Sequence, residues 1–246
     1  MVHTFHPYFD PAQAAAFNEI AIEKDSTFEF RYFPLHGYGA ATRVILAASG
    51  AKFSNVVPTD WAAEKPHTPF GVMPLLREIS ADGKTTINIA ESDAIERYLA
   101  EKFGMAGDNA FERTVVNSYV NNSNDLMHHI YMKFFTVKDP ALKAEAKEQL
   151  LNGPIAVWIK YNEQHLAANG SNGHYIGDKI TIADIKAAHM VEVIRGVKED
   201  AITDESAPAL LKVKTTIDSI PSVKAWRATD EFKTFSERNL RTFGFA

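Results

Sequence analysis

The chain has 246 residues, which is long enough for one large domain or two small ones. Its composition is typical of a soluble globular protein, and its formal net charge of −5 argues against a nucleic-acid partner. Because the chain contains no cysteine, disulfides, thiolate metal sites and a protein thiol nucleophile are all excluded.

The sequence gives no sign of a membrane or of secretion. No apolar run approaches the roughly 18 residues needed to span a bilayer. The opening residues, MVHTFHPYFD, lack the basic flank and the apolar stretch of a secretory signal, and no glycine follows Met1 for myristoylation. We therefore expect a cytoplasmic protein without a membrane partner.

Residues 1–26 form an N-terminal arm that differs from the rest of the chain. Within it, residues 11–24 are rich in alanine, and Pro11 suits the first turn of a helix, so a short helix is predicted there. Two interpretations of the arm are open. It is either a surface arm or frayed tail, or a segment that packs against a partner subunit or a ligand site.

Residues 27–103 are predicted to form a small α/β domain with a mixed sheet. The alternation of apolar and polar residues from Thr27 to Phe33 predicts a strand, with Tyr32 on the same face as Phe28 and Phe30. Phe33 points the other way and is expected to be a core residue. The predicted strands cover residues 27–33, 53–57, 75–79 and 86–90, and the predicted helices cover residues 40–49, 60–64 and 91–102.

Residues 104–108 form a short glycine-containing linker and mark the predicted domain boundary. No convincing strand pattern follows, so residues 109–246 are predicted to form an all-helical domain. Thr181 and Asp184 have the spacing of a capping box and are expected to be structural. The predicted helices cover residues 110–137, 141–168, 181–194, 207–220 and 222–227, followed by an aromatic-containing tail at 231–246.

Four motifs occur in a fixed order along the chain. They are YFPLHG at residues 32–37, the WAAEKP to MP spacing at 61–74, ESDAI at 91–95, and IGD followed by TIAD at 176–184. Together they resemble the cytosolic glutathione S-transferases, and they are most similar to the tyrosine-type sigma and pi classes. The resemblance implies an α/β thioredoxin-like domain of βαβ-ββα order with a mixed four-stranded sheet, an all-α second domain, and a homodimer.

The family's reaction uses the thiol of glutathione, so the nucleophile arrives with the cosubstrate. A free thiol has a pKa near 8.5, and little thiolate exists at neutral pH. A hydroxyl that donates a hydrogen bond to the sulfur favours the thiolate and lowers that pKa. The resemblance places this hydroxyl at Tyr32, whereas from its position alone Tyr32 could be a tyrosine half-buried in a sheet.

The same resemblance implies the rest of the glutathione site. Trp61 and Lys65 would hold the glycine carboxylate, and the backbone of Met73, before a cis Pro74, would pair with the cysteine unit. A trans Pro74 at a strand entry is the alternative. The γ-glutamyl end would be held by Glu91, Ser92 and the partner subunit's Asp125.

Two of these last residues also have simpler interpretations. Ser92 could be a plain helix N-cap, and Asp125 could be a solvated helix acid. If Ser92 lies at a helix start, the N–H groups and dipole of that start would attract a carboxylate.

Two positions of the expected glutathione site depart from the family pattern. Tyr38 stands where the related classes carry an arginine near the thiolate. It either leaves the thiolate less stabilised or offers a second hydroxyl. Val72 stands where a glutamine is usual, so the side-chain contact to glutathione must be lost, although the backbone contact can remain.

The electrophile pocket is predicted among apolar residues, namely Tyr38, Met127, Tyr131, Phe134 and Phe135. An aromatic stripe at helical spacing is more often core, so only one or two of them are expected to face the pocket. No metal site is predicted, because the neighbours His128 and His129 point to different faces of a helix.

We therefore interpret the chain as a glutathione transferase that attaches glutathione to small hydrophobic electrophiles in detoxification. Two alternatives stay open. One is a non-catalytic protein of the same fold that binds glutathione or hydrophobic ligands. The other is a glutathione-dependent isomerase.

Overall fold

The computed structural model describes residues 11–243. Residues 1–10 of the predicted N-terminal arm and residues 244–246 of the predicted tail lie outside this range. The chain divides after Phe103 into two compact units.

The first unit holds a four-stranded mixed sheet with helices, which confirms the predicted α/β architecture. Its strands are β1 (Thr27–Arg31), β2 (Lys52–Val56), β3 (Leu75–Ile79) and β4 (Thr86–Ala90), and its helices are α1 (Ala14–Ile22), α2 (Ala40–Ser49), α3 (Trp61–Glu64) and α4 (Ser92–Lys102). The strand order is β2-β1-β3-β4. Strand β1 runs parallel to β2 and antiparallel to β3, and β4 is antiparallel to β3.

Alternation along β1 builds the core of this unit. Phe28 and Phe30 lie on one face of the strand and are buried there. The strand ends at Arg31, two residues earlier than predicted, because Pro34 has no N–H to donate and restricts the residue before it. Tyr32 still donates its N–H to the carbonyl of Val56 at 3.2 Å.

Helix α1 is anchored on the first unit at its last turn. Ile20 is buried, and the Lys102 ammonium lies 2.8 Å from its carbonyl and 3.3 Å from that of Ala21. The same ammonium pairs with Glu78 at 2.8 Å, and the two side chains are 2% and 0% exposed. The C-terminal end of α1 therefore rests on a buried ion pair.

The second unit is helical over its described residues, as predicted. Its helices are α5 (Ala110–Ile130), α6 (Pro140–Leu150), α7 (Ala156–Ala168), α8 (Ile182–Val197), α9 (Pro208–Ser219), α10 (Pro221–Arg227) and α11 (Asp230–Phe243). The predicted capping box at the start of α8 is confirmed, since the Thr181 side chain and the Asp184 carboxylate each bond the other's backbone.

Three features of the helices in this unit were not predicted. A π-helical turn, Tyr131–Phe135, follows α5, and a second one, Leu151–Ile155, separates α6 from α7. The second break occurs at Gly153, where Pro154 removes an N–H and crowds the preceding turn. The tail predicted from residue 231 is helix α11, and the Thr229 hydroxyl accepts the N–H of Phe232 in its first turn.

Within residues 11–243, none of the helices combines the length and the apolar character that crossing a membrane requires.

Candidate functional site

One row of the sheet register brings the predicted glutathione residues of the first unit to a single edge. Arg31 lies opposite Val56 on one side and Leu75 on the other, and Leu75 lies opposite Ala90. The chain leaves or enters the sheet at each of these positions. We call this the site edge. The predicted residues next to these strand ends are Tyr32, Met73, Pro74, Glu91 and Ser92. Helix α3 lies in the segment that follows β2.

Tyr32 is buried at the site edge and stacks on Phe30. Its hydroxyl oxygen accepts the backbone N–H of Tyr38 at 3.2 Å. Burial raises the pKa of Tyr32 to about 12, although the Tyr38 N–H and the nearby Arg43 guanidinium act in the opposite direction. The phenol is therefore neutral at physiological pH and keeps its proton to donate.

Arg43 holds the turn that lies between Tyr32 and α2. Its guanidinium lies 5.8 Å from the centre of the Tyr32 ring and donates to the carbonyl of Leu35 at 2.8 Å. It also donates to the side chain of Asn55 at 2.6 Å. No local sequence pattern indicates the role of this buried cation, because its contacts come from non-local packing.

The turn approaches Tyr32 so closely that it requires glycine. Gly37 has a φ of +43°, and a Cβ there would lie 2.9 Å from the Tyr32 hydroxyl oxygen. A Cβ on Gly39 would lie 2.9 Å from the Tyr32 ring.

The short helix α3 carries Trp61, and Lys65 follows it directly. The Asp60 carboxylate caps the helix by accepting the Ala63 N–H at 3.1 Å. The stem of Lys65 runs beside Gly71, whose Cβ would lie 3.5 Å from Lys65 Cε. Lys65 is thus adjacent to the loop that leads into Met73.

Phe33 is not a core residue, and the prediction that it would be one is wrong. It is half-buried, and its ring contacts both Tyr32, at 5.6 Å between centroids, and Trp61, at 5.9 Å. Strand alternation could not show that Trp61 of α3 would pack against this ring, because that contact joins residues far apart in the chain.

The Met73-Pro74 peptide bond is cis, which confirms the prediction and rules out the trans alternative. Pro74 is buried at the start of β3, whereas the Val72 side chain is 42% exposed.

The start of α4 has a backbone conformation rare for its residue type. Glu91 is the N-cap with a φ of 70°, and Ser92 is the first helical residue, so the interpretation of Ser92 as the N-cap is wrong. Such positive φ values in non-glycine residues cluster at ligand sites. Burial and, to a smaller extent, the Asp93 carboxylate in the first turn of α4 raise the pKa of Tyr38.

The other predicted site residues belong to the second unit. Asp125 is exposed and lines a groove of about 240 Å³ between α5 and α7. The four predicted pocket residues of this unit are buried, namely Met127, Tyr131, Phe134 and Phe135, whereas Tyr38 of the first unit is half-buried. Two of them contact a phenylalanine in the last turn of α11, since the Phe243 ring lies 5.1 Å from that of Tyr131 and 5.8 Å from that of Phe135. Their role as a substrate pocket stays a prediction.

Known proteins match both units. Residues 124–230 match the family model described as "Glutathione S-transferase, C-terminal domain". Probable glutathione S-transferase 7 of Caenorhabditis elegans is 34% identical over 209 residues, which cover 82% of this chain and 96% of the worm protein. Hematopoietic prostaglandin D synthase of Gallus gallus is 27% identical, with 81% of this chain and 94% of the chicken protein covered.

The fold also matches solved structures. The sigma class enzyme of Fasciola hepatica has a TM-score of 0.73 and covers 85% of this chain and all of its own, at 22% identity, which is a likeness of fold. The Caenorhabditis elegans protein carries the stronger evidence, because its sequence identity to this chain is higher and the match extends over nearly all of its length. The chain therefore belongs to the glutathione S-transferase family.

Proposed function

We propose that this protein is a glutathione transferase that adds the glutathione thiolate to small hydrophobic electrophiles. In this reaction the thiolate sulfur forms a new bond to the electrophilic carbon. Either a leaving group departs from that carbon with its bonding electrons, or the π electron pair moves to the neighbouring atom, which then takes a proton from solvent. The thiol proton is lost to solvent before attack. The protein's task is to hold the cosubstrate and to keep its sulfur ionised near neutral pH.

The geometry of Tyr32 is the observation that carries this proposal. Its neutral hydroxyl is buried at the site edge and already accepts the Tyr38 N–H. The Tyr38 N–H occupies a lone pair of the hydroxyl oxygen, and the O–H proton is available to a sulfur at the edge. The two hydrogen bonds would then form a chain in which each strengthens the other. Tyr32 is the proposed catalytic residue.

The other groups at the site edge suit the rest of the tripeptide. Trp61 and Lys65 supply an indole N–H and an ammonium for the glycine carboxylate. Met73 supplies its backbone to the cysteine unit, next to Val72 and the cis Pro74. The start of α4, with Glu91 and Ser92, supplies backbone N–H groups for the γ-glutamyl carboxylate.

The two departures from the family pattern acquire specific roles in the proposal. Tyr38 acts through its backbone N–H on Tyr32, and its side chain would border the bound sulfur and the electrophile. Arg43 supplies a buried positive charge close to Tyr32 in place of the missing arginine. Val72 offers glutathione only its backbone.

We also propose that the protein works as a cytoplasmic homodimer in detoxification, with Asp125 reaching the γ-glutamyl amine bound by the partner subunit. Val157 and Tyr161, two exposed apolar residues of α7, line the same groove as Asp125. A second copy that covered this groove would bury them and would place a carboxylate at the contact. The proposed electrophile pocket keeps the residues predicted from the sequence, Tyr38, Met127, Tyr131, Phe134 and Phe135.

Titration of the bound glutathione thiol by ultraviolet absorbance tests the proposal. A hydrogen bond to a charged group is worth about 1.5–3 kcal/mol, which corresponds to about one or two pKa units. In Tyr32→Phe the pKa of the bound thiol should therefore rise by that amount toward its solution value. The pH at which conjugation of a model electrophile reaches its plateau should rise equally.

A matched control removes a hydroxyl elsewhere in the same unit. Tyr98→Phe loses a phenol that donates to the buried Glu78 and should leave the pKa of the bound thiol unchanged. If glutathione does not bind the wild-type protein, the site assignment is wrong.

A glutathione-dependent isomerase is the second candidate, and the relative named prostaglandin D synthase favours it. Isomerisation would regenerate free glutathione, whereas conjugation consumes it. Measuring thiol consumption during turnover separates the two activities.

A further inference from the structure

The end of β1 and the two residues after it serve two parts of the site. Tyr32 stacks on Phe30, whereas Arg31 and Phe33 have partners in α3. Both of these reach the same short segment. Arg31 forms an ion pair with Glu64 of α3, and the Phe33 ring contacts Trp61 at the other end of that helix.

Helix α3 has little stability of its own. It has four residues, none of them buried, and a single turn of helix is unstable in water without tertiary contacts. Asp60 caps its first turn locally. The cap shapes the turn but does not fix where the turn lies relative to the sheet. Contacts with Arg31 and Phe33 tie the turn to the end of β1 and to the segment that follows it.

The ion pair between Arg31 and Glu64 is well suited to fix this placement. The two side chains are 10% and 14% exposed, so solvent screens their attraction far less than that of a surface pair. The other carboxylate oxygen of Glu64 accepts the N–H of Thr59 at 3.3 Å. Glu64 thereby joins the strand end, the helix and the loop before the helix.

We propose that Arg31 and Glu64 are positioning residues that set the affinity for the glycine end of glutathione by holding Trp61 and Lys65 at the site edge. This inference rests on the proposed function. Neither Arg31 nor Glu64 needs to touch the cosubstrate. We expect Tyr32 to keep its place in their variants, because Phe30, Arg43 and the Tyr38 N–H hold it through contacts that do not involve α3.

The test is a double-mutant cycle of Arg31→Gln, Glu64→Gln and the double variant. Each single variant should raise the KM for glutathione about tenfold, since a displaced anchor weakens binding in the ground and transition states alike. The double variant should show the same rise in the KM for glutathione as each single variant, and not the product of the two single effects. The kcat at saturating glutathione and the pKa of the bound thiol should stay at the wild-type values.

A masked ligand makes the readout specific to the glycine end. The ethyl ester of the glycine carboxylate lacks the charge that Trp61 and Lys65 would hold. The wild-type protein should prefer glutathione to this ester, and both single variants should lose most of that preference. Glu29→Gln is the matched control, because it breaks the other ion pair of β1, with Arg77, and should leave the preference intact.

Arg31→Lys keeps the positive charge and should retain most of the wild-type affinity. It also serves if the neutral variants fail to fold, since a loss of ester discrimination in the folded Lys variant would contradict the proposal. If folded Glu64→Gln keeps the wild-type preference for glutathione over the ester, the inference is wrong while the proposed function stands. The same holds if the effects of the two single variants add in the double variant. A wild-type protein that binds neither ligand overturns both.

Discussion

Gly39 sets how closely the turn after β1 can approach the proposed catalytic tyrosine. A Cβ at this position would lie 2.9 Å from the rings of both Phe30 and Tyr32. Its backbone lies in the ordinary helical region, so a substitution acts through the clash alone. The missing side chain is therefore part of what positions Tyr32.

We predict that Gly39→Ala shifts the Tyr32 ring and weakens its hydrogen bond to the sulfur. Overpacking of this kind costs ~1–3 kcal/mol of stability. Urea unfolding should show that loss, and the pKa of the bound thiol should rise toward its solution value. An unchanged thiol pKa would show that the ring tolerates the methyl group.

Gly50→Ala is the control for stability alone. Gly50 ends α2 with a φ of +72°, and a Cβ there meets no atom within 4 Å. The substitution should cost ~1–2 kcal/mol from backbone strain. It should leave the thiol pKa unaffected.

At the scale of elements, α1 depends on the buried ion pair at the end of α4. Lys102 neutralises Glu78 and donates to the last carbonyls of α1, where a cation also suits the helix dipole. Glu78 further accepts hydrogen bonds from Ser26 and Tyr98. Burial and the Glu78 carboxylate raise the pKa of Tyr98 well above its usual value, so Tyr98 stays a donor.

We predict that Lys102→Met destabilises the protein by ~3–5 kcal/mol, because it leaves a buried carboxylate without its cation. Amide hydrogen exchange should show that α1 loses its protection along with the first unit. Lys84→Met removes a lysine from an exposed pair with Asp82 and should change stability by less than ~1 kcal/mol. Wild-type protection of α1 in the Lys102 variant would contradict the anchoring role.

At the scale of the whole molecule, the proposed homodimer makes each glutathione site depend on two chains. We predict that Val157→Arg, which places a charge in the groove between α5 and α7, converts the dimer to monomers in sedimentation experiments. Glutathione affinity should fall in parallel, because Asp125 of the partner is lost. Asp125→Asn should lower the affinity without dissociating the dimer.

The outcomes separate the existence of the dimer from the contact that Asp125 makes with the partner's glutathione. A wild-type protein that sediments as a monomer would contradict the dimer. A dimeric Asp125→Asn protein with wild-type affinity would contradict the shared site alone.

Local signals were enough to predict much of this protein from its sequence. Alternation identified the strands, the spacing of Thr181 and Asp184 identified the start of α8, and motif resemblance identified the cis Met73-Pro74 bond. These features depend on residues close together in the chain. The two π-helical turns and α11 were missed, although Gly153-Pro154 and the Thr229 cap were readable as boundary signals.

Only the tertiary structure decided how these parts meet. The register of four strands, which pairs residues as far apart in the chain as Thr27 and Ile79, sets Tyr32, α3 and the cis proline at one edge. Tertiary packing also pairs Arg31 with Glu64 and Lys102 with Glu78. It places Phe33 against Trp61 at the site edge rather than in the core. The sequence determines which residues alternate and which turns form. Which distant side chain meets each face depends on non-local packing, which no local pattern encodes.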